Sequence, residues 1–83
     1  MNELTKDETE KLQRFAATTL LKTLKENVPA EFKRNTQELM SEIWNAYFYL
    51  LNNYKPGKLS RTSYCFKYAG QIAMQNIWKE HKT

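Results

Sequence analysis

Two breaks constrain this chain more than any other feature. Pro29 stands alone, and Pro56 and Gly57 lie together in Lys55-Pro56-Gly57-Lys58; Gly70 is the only other proline or glycine in 83 residues. The residue before a proline is pushed out of the helical region, and a Pro-Gly pair marks a turn. The chain is thereby cut into three stretches, and each has the three- and four-residue apolar spacing of a helix.

The first stretch opens with Thr5-Lys6-Asp7-Glu8, a capping box. The Thr5 hydroxyl accepts from the amide three residues on, and Glu8 reaches back to the Thr5 amide. Asp7, Glu8 and Glu10 suit the positive end of the helix dipole. Leu12, Phe15, Ala16, Thr19, Leu20, Leu24 and Val28 form one face, and Pro29 ends the helix. A polar connector, Ala30 to Asn35, is anchored by Phe32. Asn35-Thr36-Gln37-Glu38 is a second capping signal. The helix it opens carries Leu39, Met40, Ile43, Trp44, Tyr47, Leu50, Leu51 and Tyr54. With Phe48 and Tyr49 it is apolar around most of its girth, so it is buried on several sides or presents an apolar face to a partner. Ser60 or Thr62 caps a third helix that runs to about Lys79, with Cys65, Phe66, Ala69, Ile72, Ala73, Ile77 and Trp78 as its apolar positions. Gly70 inside it costs about 1 kcal/mol against alanine, which predicts close approach of another backbone. The expected fold is all-α, a single small three-helix bundle over residues 1–83.

The residue inventory narrows function. One cysteine, Cys65, and one histidine, His81, allow neither an intrachain disulfide nor a four-ligand zinc site, and no cofactor motif is present. There is no glycine-rich phosphate loop, no HExxH and no Cys/His pair at catalytic spacing, so the expectation is a binding protein and not an enzyme. Glu38 and Glu42 share a helix face, which fits a solvated surface or a partner contact. No apolar run approaches the roughly 20 residues of a membrane span. Met1 to Asp7 has no charged-then-apolar signal pattern. The expected location is cytoplasmic.

Charge and aromatic rings are segregated. Residues 1–42 carry seven Lys/Arg and eight Asp/Glu, whereas residues 43–83 carry six Lys/Arg and only Glu80 as an acid. Nine of the eleven Phe, Tyr and Trp lie in the second part. Cations neutralise phosphates and rings give stacking platforms for bases. Lys55, Lys58, Arg61, Tyr64, Lys67, Tyr68 and Gln71 interleave those two chemistries, and Tyr64, Lys67, Tyr68 and Gln71 fall on one helical stripe. The same pattern also fits a core stripe beside a soluble basic face, and composition does not choose between them. A helix-turn-helix needs a turn of about 3–4 residues, and Lys55 to Arg61 is longer than that.

Glu38-Leu39-Met40-Ser41-Glu42-Ile43-Trp44-Asn45-Ala46, then Asn53-Tyr54-Lys55-Pro56-Gly57-Lys58, then Thr62-Ser63-Tyr64-Cys65-Phe66-Lys67-Tyr68-Ala69 resembles conserved region 2 of bacterial RNA polymerase sigma factors. That family has an acidic opening to a helix, an aromatic-Asp/Lys-Pro turn, a basic segment and a "(S/T)-(T/S)-Y-A" start to the next helix. The order and spacings fit over residues 36–80, with residues 5–28 as the preceding helix. The resemblance implies that Glu38, Ser41, Glu42, Trp44 and Asn45 dock on the clamp coiled coil of core RNA polymerase. It further implies that Tyr64, Lys67, Tyr68 and Gln71 meet partly single-stranded promoter DNA at the minus-ten element, with Lys58 and Arg61 on the phosphate backbone and Lys55 in the DNA-binding turn. Where primary sigma factors place two tryptophans, this chain has Lys67 and Tyr68. A lone region 2 fits a minimal, stand-alone sigma factor of the phage or mobile-element kind, a fragment, or a decoy that occupies the clamp. The alternatives are a helical module that inhibits or redirects polymerase without reading DNA, and a homodimer that buries Tyr47, Phe48 and Tyr49 against a second copy. Trp78 and the tail Lys79 to Thr83 are expected to take no part in the DNA contact.

Overall fold

A computed structural model of the chain describes residues 3–82. Met1, Asn2 and Thr83, which bear on the expectations for the two termini, lie outside them. Residues 6–27 form one continuous helical rod in three parts: α1 (Lys6–Phe15), a π-helical segment (Ala16–Leu20) and α2 (Leu21–Asn27). A single 3-10 turn (Ala30–Phe32) leads to α3 (Thr36–Asn53), and a loop leads to α4 (Arg61–Lys82). Most of the described residues are helical and none is in a strand, and they make the expected three-rod, all-α bundle.

The expected starts of all three rods hold. The Thr5 hydroxyl accepts from the Glu8 amide and Glu8 accepts from the Thr5 amide, each at 3.0 Å. Asn35 accepts from the Glu38 amide at 3.0 Å, and its side-chain amide also donates to the Glu38 carboxylate at 2.9 Å. Ser60, and not Thr62, caps α4, since its hydroxyl accepts from the Ser63 amide at 3.2 Å. The first rod stops at Val28, which is extended ahead of Pro29.

The π segment has a packing reason. Leu12, Ala16, Leu20, Leu24 and Val28 are all buried, and they repeat every four residues. Four residues of α-helix turn about 400°, so such a repeat drifts some 40° per step around the rod. The wider i→i+5 turn, seen where the Leu21 amide donates to the Ala16 carbonyl, takes up that drift and keeps one stripe against the core. The Thr18 hydroxyl donates to the Arg14 carbonyl at 2.7 Å inside the same stretch.

Tyr47 is the largest fully buried side chain. Its hydroxyl donates to the Leu12 carbonyl at 2.9 Å and so joins α3 to α1. Leu39, Ile43, Ala46, Leu50 and Leu51 complete the inner face of α3, and Cys65, Ala69, Ala73 and Ile77 that of α4. Phe15 and Phe66 stack at 4.4 Å between the first rod and α4. The close neighbour of Gly70 is a side chain rather than the expected backbone: a Cβ there would lie 3.3 Å from Leu20 Cδ2.

The third helix passes the expected end at Lys79 and reaches Lys82. Tertiary contact holds the extra turn. The Trp78 indole N–H donates to the Asn27 carbonyl at 3.1 Å, and His81 pairs with Glu31 and lies edge-on to Phe32. No helix among the described residues is long and apolar enough to cross a membrane.

Candidate nucleic-acid interface

The turn between α3 and α4 is pinned by Tyr54, whose hydroxyl donates to the Leu59 carbonyl at 2.6 Å. That contact brings the Tyr54 ring to 5.5 Å from Tyr64, and Tyr64 lies 5.2 Å from Tyr68 one turn further along α4. The three rings form a ladder, half-buried, leading away from the turn. Lys67 places its ammonium 5.5 Å from the Tyr68 centroid. A shallow groove of about 390 Å³ runs beside the ladder between α3 and α4. Tyr49, Leu50, Tyr64, Tyr68, Gln71, Ile72 and Gln75 line it. Three of the expected residues, the half-buried Tyr64 and Tyr68 and the exposed Gln71, therefore share a concave surface.

Sequence reasoning missed three members of this surface. Tyr49, 58% exposed, reads in the sequence as part of an apolar helix face or a homodimer contact, Tyr54 as the end of that helix and the turn, and Gln75 carries no expected role. Gln75 continues the Tyr64–Tyr68–Gln71 stripe at a four-residue step, so extending that spacing finds it. Tyr49 comes from the other helix, and only the α3–α4 packing places it there.

The expected cations divide. Lys11–Asp7, Arg61–Glu8 and His81–Glu31 form ion pairs. Lys55, Lys58 and Lys67 are exposed and in none of them. Arg61 departs from expectation. Its Nε and Nη2 donate to the two carboxylate oxygens of Glu8 at 3.1 and 2.6 Å, and Nη2 also donates to the Glu3 carbonyl at 3.2 Å. The Arg61 side chain is only 21% exposed and ties the start of α4 to the start of α1. Its bonds to Glu8, with those from Thr5, hold the Glu8 carboxyl below the usual carboxylate range despite some burial.

The proposed protein-docking residues also divide. Glu38, Ser41, Glu42 and Asn45 lie along one side of α3. Trp44 sits about 200° around the helix from Glu42 and turns to the first rod. Its indole N–H donates to Gln13 Oε1 at 3.1 Å, and its ring packs edge-on to Tyr47 at 5.1 Å. Trp44 is thus a packing residue here rather than part of the outward face. Glu42 meets α4: with Asn45, Asn76, Lys79 and Glu80 it lines a groove of about 510 Å³. Burial, then the nearby carboxylates of Glu80 and Glu38, push the Glu42 carboxyl above its ordinary 4.5. Lys79 and Glu80 belong to this surface because α4 continues through them. Tyr47 is removed from any dimer contact by its complete burial, whereas Phe48 and Tyr49 remain exposed.

Cys65 is fully buried, and burial pushes its thiol up to about 11. No cluster of three metal-binding side chains occurs among the described residues. Comparison with known protein families, with curated proteins and with solved structures finds no match to this chain.

Proposed function

We propose that this chain is a sigma-like binding protein, with the tyrosine ladder of α4 and its turn as a surface for single-stranded promoter DNA. The polymerase-docking side would be the outward edge of α3 carried by Glu38, Ser41, Glu42 and Asn45. The observation that supports this most is the placement of Tyr64 and Tyr68 beside an open groove, with Lys67 over the Tyr68 ring and Lys55 and Lys58 exposed in the turn before α4. Rings stack on any base, and cations alongside hold the backbone, which is the chemistry of a single-strand platform. The family resemblance supplies the partner, because it spans the same turn and helix start.

The test is anisotropy of a labelled single strand, alone and with core polymerase. Three lysine–phosphate contacts predict a log–log salt slope of about −2, at about −0.7 per contact. Tyr68→Ala should weaken binding by the loss of one stacked base, about 1–3 kcal/mol. Glu42→Lys should weaken capture of the core enzyme. A core polymerase pull-down that retains none of the protein sinks the proposal.

One observation favours a second reading, a module that binds polymerase without reading DNA. Arg61, one of the cations expected on phosphate, is engaged by Glu8. Strand binding that is absent, or indifferent to salt, selects that reading.

A further inference from the structure

The Glu8–Arg61 pair sits where the first rod crosses the start of the proposed DNA-binding helix. A carboxylate taking Nε and Nη2 of one guanidinium with its two oxygens uses the same fork that recognises a phosphate. Glu8 is well held for that role. Its carboxylate also accepts from the Thr5 amide, so the capping box that starts α1 fixes it in place. Arg61 lies three residues before Tyr64 and three after Lys58, between the ladder and the lysines of the turn. Of the four cations in this region, it alone has an internal anion.

We propose that Glu8 is an autoinhibitory phosphate mimic that keeps Arg61 off the nucleic-acid backbone until it is displaced. This rests on the nucleic-acid reading of α4. In the resting chain, phosphate contacts come from Lys55, Lys58 and Lys67 alone. Moving the start of the first rod away from α4 would release a fourth cation beside the stacking surface. A partner that drew this segment aside would thereby strengthen strand binding without touching DNA itself.

The experiment measures binding of a labelled oligothymidylate as a function of salt. Glu8→Gln retains an acceptor for the Thr5 amide, since glutamine also completes a capping box. It should bind more tightly than the parent, with a salt slope steeper by about 0.7, one added phosphate contact. Asp7→Asn removes the same charge from the neighbouring exposed position and should leave the slope unchanged. Arg61→Gln should bind like the parent, and Glu8→Gln/Arg61→Gln should lose the gain. An equal gain in Asp7→Asn reduces the effect to net charge and overturns the proposal, as does a Glu8→Gln slope equal to that of a parent chain that binds. The second outcome leaves the nucleic-acid reading standing. If neither parent nor Glu8→Gln binds, that reading falls and the latch with it. The unmodified chain supplies an independent check should the variants unfold. On titration with the oligonucleotide, the Arg61 Nε–H resonance should stay in place while the Tyr64 and Tyr68 ring signals move. Movement of all three at one Kd overturns the latch.

Discussion

Tyr47 offers the sharpest test of how the helices are joined. Replacing it with phenylalanine removes one hydroxyl from a fully buried site and leaves the ring in place. The bond lost is the 2.9 Å contact to the Leu12 carbonyl. That carbonyl is not left unpaired, because it also accepts from the Ala16 amide at the junction with the π segment. The cost should therefore be that of a net hydrogen bond, about 1 kcal/mol, and not the about 1–3 kcal/mol of an orphaned buried group. In a domain of this size 1 kcal/mol lowers Tm by about 4–8 °C. Tyr47→Ala removes the ring as well and should cost about 3–5 kcal/mol, as for other large aromatic truncations. At roughly 0.05–0.15 kcal/mol per residue, 83 residues give a total of about 4–12 kcal/mol, so that variant is close to unfolding. Urea and thermal melts followed by far-UV circular dichroism measure both. A Tyr47→Phe loss above about 2 kcal/mol would mean that Leu12 has no second donor and that the π junction is misread. A change near zero would mean that the hydroxyl contributes nothing to joining α3 and α1.

Two further outcomes follow from particular contacts. Gly70→Ala gains about 1 kcal/mol of helix propensity but places a methyl 3.3 Å from the tip of Leu20. Because that tip is the end of a flexible side chain, thermal melts should show a change between neutral and slightly stabilising; a clear loss would show that the π segment holds Leu20 rigidly. The pH dependence of stability should have two opposed carboxylate contributions. Glu42 has a folded pKa raised above 4.5 by burial and by Glu80 and Glu38, so the native state binds its proton first and stability rises as pH falls through that raised value. Glu8 has a folded pKa lowered chiefly by Arg61, so its stabilisation is present above the unfolded value and is lost as pH falls below about 4.5 through the folded one. In urea melts across this range, Glu42→Gln should remove the rise and Glu8→Gln should reduce the fall; unchanged profiles would show that neither carboxyl is perturbed.

Rod boundaries and much of the core stripe could be read before any coordinates. Caps and breaks are local events: Thr5 with Glu8, Asn35 with Glu38 and Ser60 with Ser63 each act across three residues, and Pro29 acts on its immediate neighbour. The three-helix architecture followed from them and from the apolar period. The tyrosine stripe of α4 was legible for the same reason, since one helix repeat sets it. The roles of Trp44, Tyr47 and Arg61 were not. Their partners, Gln13, Leu12 and Glu8, stand 31, 35 and 53 residues away in the chain. The π segment was hidden as well, because a strict four-residue repeat reads as an ordinary helix until the drift of the stripe is set against a real neighbour. Sequence alone thus determined where helices start and which faces are apolar, since these depend on hydrogen bonds and spacings within a turn. Only the tertiary structure decided which charges remain available to a partner, because a cation is spent or kept according to what the packing of distant helices places beside it.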